Sequence, residues 1–394
     1  MEGTVKQYIL ESLRERYRRS SKKGKGQVLD EVCSELGCHR KHAVRLMRKR
    51  SPGRKAAAGK RGRRSKYNSP EFLRALHRVR RVMEFRNAEV IKASMPEWLP
   101  FIEAQYGAYD ATVRERLLSI SAATMKRYFR LLREQGGKGL STTRPGSILR
   151  MEIPVRTASL WDETVPGKMA ADTVAHCGAS TEGQFVYSLD LVDPVTHWTA
   201  QRATWGKGHG GILDQTKAIE QQLPYPLIGL HVDNGSEFMN HAYIRAFVPI
   251  RAGFALTRSR PSQKNDNCYA EQKNWSVVRR YFGYDRIDDP KLVVMMNDLY
   301  ENEIYLYLNH FCRTFKLEQK IAIKSRYRRI YGTPKTPYER VIESPHVSAE
   351  AKEQLRLQHA TLNPVALKLA IERKLKDILY ELRRSHAARA ATSG

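Results

Sequence analysis

The sequence predicts an α/β domain, a mixed β-sheet covered by helices, preceded by basic all-α units. Three observations predict it. Strand-type apolar runs cluster between residues 169 and 203, helix and strand patterns alternate from 212 to 280, and helical pairs rich in Lys and Arg lie before residue 150.

The 394 residues, 41% hydrophobic and 28% charged, suit a folded chain of several domains and exclude a collagen-like or wholly disordered one. The formal net charge is +28, and +22 of it falls within the first 150 residues. Such an excess is best tolerated against a polyanion, which puts nucleic acid first and an anionic membrane second. No stretch approaches the roughly 18 uncharged apolar residues of a membrane-spanning helix. The N-terminus has charges among its apolar positions and no small-residue cleavage site, so a cytoplasmic, nucleoid-associated protein with no membrane partner is expected. Five scattered cysteines suit a reducing compartment.

In chain order, residues 1–66 form the first basic unit. Leu29, Val32 and Leu36 recur at helical spacing, Gly37 breaks the pattern, and a second helix from Arg40 turns Val44 and Met47 inward. That makes a helix-turn-helix whose second helix exposes Arg40, Lys41, Arg45 and Arg48 to DNA. A linker rich in Gly, Ala and basic residues covers 51–66. Residues 67–146 are read as a second helical DNA-binding domain. There Ser121 caps the second helix of a further helix-turn-helix, with Met125, Phe129 and Leu132 inward and Lys126, Arg127, Arg130 and Arg133 outward, and a Gly-rich linker ends the domain.

Residues 147–315 hold the sheet. Met169–Val174, Gln184–Val192 and His197–Ala203 read as an antiparallel meander, followed by a helix over Ile212–Gln222, a fourth strand over Leu227–Val232, a helix over Asn240–Phe247, a strand at Ala255–Thr257 and a helix over Tyr269–Arg280. Residues 316–394 form a basic C-terminal helical region with an apolar stripe from Leu367 to Leu382, and the tail after Arg384 is expected to lack order.

Asp233 falls just past the fourth strand, where Asn-Gly turns the chain away and α/β sheets bind ligands. Asp172 lies within the first strand, and adjacency of these two strands would bring both acids together. Glu271 opens the helix after a basic loop. Three such carboxylates can hold two divalent cations about 4 Å apart for phosphodiester displacement, and oxygen-only ligation favours Mg2+ or Mn2+. Asp190, Asp193, Glu237 and Asp266 compete for these roles, and each also has an ordinary turn or surface reading.

The words around these acids, Asp172-Thr-Val-Ala-His-Cys-Gly178, Asp233-Asn-Gly-Ser-Glu-Phe238 and Lys264-Asn-Asp-Asn-Cys-Tyr-Ala-Glu-Gln-Lys-Asn-Trp275, resemble the catalytic core of DDE transposases and retroviral-type integrases. The 37 residues between Asp233 and Glu271 are close to the spacing that names the D,D-35-E motif. The resemblance covers roughly residues 150–290. It implies an RNase H-like fold, Asp172, Asp233 and Glu271 as catalytic metal ligands for two Mg2+ or Mn2+ ions, and cleavage and strand transfer on double-stranded DNA, at element ends and target.

Asn234, Lys264, Asn267, Lys273 and Asn274 are candidate phosphate contacts, with a solvated loop as the ordinary alternative for Lys264 and Lys273. Cys33, Cys38, His39 and His42 are compressed into ten residues, unlike the two separated ligand pairs of a structural zinc module. The N-terminal region therefore resembles bacterial insertion-sequence transposases with helix-turn-helix end-binding domains. Acting on two DNA ends implies a homo-oligomer. Two rival functions stay open: a nuclease of the same fold without joining activity, and a DNA-binding regulator on a degenerate transposase scaffold.

Overall fold

The computed structural model describes residues 10, 13–36, 38–48, 66–84, 86–130, 164–233, 238, 245–247, 253–259, 273–323 and 326–392. The chain divides into two compact units, Met1–Gly136 and Gly137–Gly394.

The first unit is helical: α1 (Lys22–Leu36), α2 (Arg40–Arg48), α3 (Pro70–Val82), α4 (Ala88–Tyr106), α5 (Ala111–Ser119) and α6 (Ala122–Arg130). Side-chain caps start these helices by satisfying backbone N–H groups that have no intrahelical partner. Ser69, Asn87, Asp110 and Ser121 accept from Phe72, Val90, Thr112 and Thr124 respectively. Ser121 is thus the cap the sequence indicates. In the first pair Val32 and Met47 are buried as expected. Ala43, rather than Val44, is the fully buried residue of the α2 turn, and Val44 is half-buried. Leu117, Ile120, Met125 and Phe129 pack the second pair.

The second unit is built on a five-stranded mixed sheet: β1 (Lys168–Ala175), β2 (Val186–Val192), β3 (Thr199–Trp205), β4 (Gly229–Val232) and β5 (Ala255–Arg258), in the order β3-β2-β1-β4-β5. The first three strands form the expected antiparallel meander, and β4 and β5 extend the sheet in parallel from β1. This is the RNase H-like arrangement. A glycine opens β4 because a Cβ on Gly229 would lie 2.6 Å from the Ala255 carbonyl oxygen.

On one face Met169, Ala171, Leu189, Leu191, Ala200, Leu230 and Val232 form the core with Ile212 and Ile219 of α7 (His209–Glu220). The other face meets α8, which is π-helical over Asn274–Arg279 and α-helical over Arg280–Phe282, and α9 (Lys291–Phe311), with a π-helical turn at Tyr300–Ile304. The edge strand β3 is protected by α9. Asn297 and Asn309 each exchange hydrogen bonds with both backbone groups of one β3 residue, Ala203 and Thr199.

After α9 come a hairpin of β6 (Leu317–Ile323) and β7 (Arg326–Tyr331), then α10 (Pro337–Glu343), α11 (Ala349–Thr361) and α12 (Pro364–Thr392). The C-terminal region does not stand apart, because Val341, Val347 and Leu355 enter the same core as Met169 and Leu191. The expectation of a tail without order after Arg384 is overturned. Helix α12 runs on to Thr392, and His386 and Arg389 hydrogen-bond the Asp288 carboxylate at 2.9 and 2.7 Å. Those contacts come from 98 and 101 residues away, so local composition carried no sign of them.

Candidate active site

The register places the acids. Asp172 on β1 stands directly opposite Asp190 on β2, and the parallel pairing of β1 with β4 sets Ala170 against His231. Continuing that pairing by two residues brings Asp172 level with Asp233, which directly follows β4. Side chains alternate along a strand, so with Met169 and Ala171 in the core the three aspartates share the opposite face. The strand adjacency that the sequence could only assume is present.

The electrostatics agree with this proximity. Burial, followed by the neighbouring Asp233 carboxylate, pushes the Asp172 carboxyl well above the usual carboxylate range. Asn274, at the first turn of α8, donates to Asp172 Oδ2 at 2.6 Å, and the Thr173 backbone N–H donates to Oδ1 at 2.7 Å. Asp190 is fully buried, and burial pushes it up to about 7 against the opposing influence of the Gln201 amide and the Lys273 charge. Gln201 Nε2 donates to Asp190 Oδ1 at 2.6 Å and to Thr199 Oγ1 at 2.7 Å.

These shifts set a pH dependence. The folded Asp190 carboxyl, at about 7, lies above its ordinary 3.8, so its contribution to stability is complete at acid pH and is lost as the pH rises through about 7. Asp172 acts with the same sign. The protein in chelator is expected to melt several degrees lower at about pH 8 than at about pH 4, with Asp190→Asn flattening the dependence between them. Equal melting temperatures at those two pH values, and the same profile in Asp190→Asn, would contradict a raised Asp190 carboxyl.

The other expected residues sort clearly. Glu271, Lys264, Asn234, Asn267 and Arg133 lie outside the described residues. Lys273 is half-buried and acts electrostatically on Asp190. Asp193 is a turn residue, as its ordinary reading had it, accepting from the backbone N–H groups of Gly167, Val195 and Thr196. His176 is buried at the end of β1 and hydrogen-bonds Ser188 Oγ at 2.8 Å; burial, then the nearby Arg279 charge, lowers its pKa to about 3. Sequence reasoning missed the link from Asn274 to Asp172. It also missed the Asp190–Gln201–Thr199 network, for which the signal was polar residues at alternate positions, Ser188 and Asp190 on β2 and Thr199 and Gln201 on β3. Trp275, next to Asn274, is 70% exposed.

In the first unit Arg40, Lys41, Arg45 and Arg48 are all exposed, and Arg40 is ion-paired to Asp30. Lys126, Arg127 and Arg130 are exposed on α6, with Lys126 held by Glu89. Both second helices thus present basic surface, and one basic residue on each is engaged within its own unit.

Among the described residues no three His, Cys, Asp or Glu side chains cluster as a metal site. The described part supplies the carboxylate pair of Asp172 and Asp233. Two buried oxygens nearby, Asp190 Oδ2 and Asn274 Oδ1, have no hydrogen-bond partner among the described residues. An oxygen-only donor set that includes two neighbouring carboxylates fits a hard divalent cation.

The uncharacterized protein y4rM of Sinorhizobium fredii (strain NBRC 101917 / NGR234) is 34% identical over 337 residues, a match covering 84% of this chain and 93% of the relative. No protein-family profile matches. Among solved structures, the catalytic core domain of BIV integrase aligns with a TM-score of 0.27 at 14% identity, over 46% of this chain and 96% of that one. A chain of the simian T-cell lymphotropic virus intasome, solved with the PP2A regulatory subunit B56 gamma, aligns with a TM-score of 0.29 at 11% identity, over 59% of this chain and 86% of that one. Likeness this loose transfers no role to any residue. Among the described residues no helix is long and apolar enough to cross a membrane.

Proposed function

We propose that this chain, which belongs to the family of the Sinorhizobium fredii protein y4rM, is a DNA transposase that cleaves the ends of an element and joins them to target DNA. What carries the reading is the level placement of Asp172 and Asp233 at adjacent parallel strands of the β3-β2-β1-β4-β5 sheet, each acid within a word typical of DDE enzymes. The separate basic unit supplies surfaces for end recognition, and the exposed Trp275 indole offers a flat face of the kind that stacks on unpaired bases.

In this reading Asp172, Asp233 and Glu271 hold two Mg2+ or Mn2+ ions. Bound there, such ions supply a charged clamp that activates water or a 3′-OH and stabilises the departing oxygen. The protein's own part is positional. Strand pairing fixes the spacing of the two aspartates, Asn274 orients Asp172, and Lys273 adds positive charge beside Asp190. A second DNA end requires a second protomer, which makes the working form a homo-oligomer.

The test uses the inverted repeats read from the DNA flanking the gene. The purified protein with a labelled end duplex and Mg2+ is expected to release a 3′-OH end and to yield joined products with target DNA. Cleavage without joined product identifies a nuclease, and end binding without cleavage identifies a regulator. Because Asn274 orients one metal ligand, Asn274→Ala is expected to raise the Mg2+ needed for half-maximal cleavage about tenfold to a hundredfold, with end binding unchanged. An unaltered Mg2+ requirement would remove Asn274 from the metal site.

A further inference from the structure

The hairpin of β6 and β7 forms a sheet of its own, hydrogen-bonded to no other strand among the described residues. Its root is clamped. Thr314 and Lys335 bridge its base, Arg340 donates to the Thr314 carbonyl and hydroxyl oxygens at 2.6 and 2.8 Å, and His197, held at a φ of 61°, hydrogen-bonds Thr314 Oγ1 at 2.9 Å. Beyond that root the arm is bare. Leu317, Ile321, Ile323 and Tyr331 are 44%, 42%, 50% and 51% exposed. Arg328 and Arg329 are exposed without an ion-pair partner among the described residues.

A two-stranded hairpin with both edges unpaired is only marginally stable in water, and exposed aliphatic side chains on such an edge invite a partner. Charge identifies the partner. Residues 316–332 hold six Lys and Arg against one Glu, on a chain of net charge +28, so a second copy of this chain would meet like charge while a polyanion is attracted. Shape narrows it further, because a two-stranded ribbon fits the roughly 12 Å major groove of duplex DNA.

We propose that the hairpin Leu317–Tyr331 is a DNA arm: Arg328 and Arg329 bind phosphates of a duplex while Ile321 and Ile323 pack into its groove. The register sets Arg328 on the same face as Ile321 and Ile323 and Arg329 on the opposite face, so the ribbon carries an arginine on each face and its exposed isoleucines on one. The arm gives the catalytic unit its own hold on DNA. This inference rests on the reading of the chain as a DNA enzyme.

The experiment measures binding of the full chain to a labelled random-sequence duplex over a range of salt. Arg328→Ala with Arg329→Ala is expected to lower the slope of log affinity against log salt by about 1.8, two phosphate contacts at about 0.9 each. Ile321→Ser with Ile323→Ser is expected to weaken binding several-fold with the slope unchanged. Both pairs are exposed, so their melting temperatures should match the parent, and the arginine pair in particular removes no buried contact. Wild-type binding by both variants overturns the arm. So does a shift from oligomer to monomer in the isoleucine variant with duplex affinity intact, which marks a subunit contact, or loss of binding only to anionic vesicles, which marks a membrane contact. The assay needs no chemistry. Hairpin-dependent binding without any Mg2+-dependent cleavage would keep the arm and defeat the transposase reading, whereas normal joining with hairpin-independent binding does the reverse.

Discussion

Asp233→Asn and Asp172→Asn are each expected to reduce cleavage and joining by about a thousandfold or more, because each removes a ligand from a centre that contributes several kcal/mol to the transition state, and every 1.4 kcal/mol or so is tenfold in rate. Binding to element ends should persist, since the proposed end-binding surfaces lie in the separate unit Met1–Gly136. A second readout separates a metal ligand from a structural residue. The Asp233 carboxylate raises Asp172, so removing its charge relieves repulsion, and the Asp233→Asn protein in chelator should melt higher than the parent near neutral pH. Loss of activity with raised stability is the signature expected. Retained Mg2+-dependent cleavage, or activity lost together with stability, would take Asp233 out of the site. Glu271→Gln is expected to match the aspartate variants in activity.

The sheet was legible because its strands are punctuated. Gly178 to Gly183 and Asp193 to Thr196 mark the turns of the meander, and the runs between them form strands buried over most of their length on both faces. Strand order was not legible from periodicity, because a parallel strand returns through a crossover of variable length, so the adjacency of Asp172 and Asp233 needed either the family resemblance or the structure. The π-helical start of α8 was invisible for a related reason. Apolar positions at Val277 and Val278 satisfy an α-helical reading equally well, and only the turn's hydrogen bonding reveals the wider coil, of the kind often found at functional sites. The hairpin showed in sequence only as a basic run. Its five cations masked the alternation of Leu317, Gln319, Ile321 and Ile323, and the bulge between Leu317 and Gln319 shifts the register on which that pattern depends.

The second large effect concerns recognition. Of the exposed cations on α2, Arg40 is ion-paired to Asp30, which leaves Lys41, Arg45 and Arg48 as the better candidates for base and phosphate contacts. Replacing those three with Ala is expected to weaken binding to the element end by about a hundredfold, since a good bidentate base contact is worth about 1–3 kcal/mol, while binding to random DNA falls less. Arg40→Ala alone should lose less specificity, because its guanidinium already serves α1. The exposed set on α6 gives the internal comparison: Arg127→Ala with Arg130→Ala should leave discrimination intact if α2 is the reader, and abolish it if α6 is. The measurement is the ratio of affinities for end and random duplexes at matched salt, because base contacts specify and phosphate contacts only position. Should the triple α2 variant lose affinity equally for both duplexes, α2 is a phosphate-binding face, and recognition of the element ends passes to the helix that Ser121 caps.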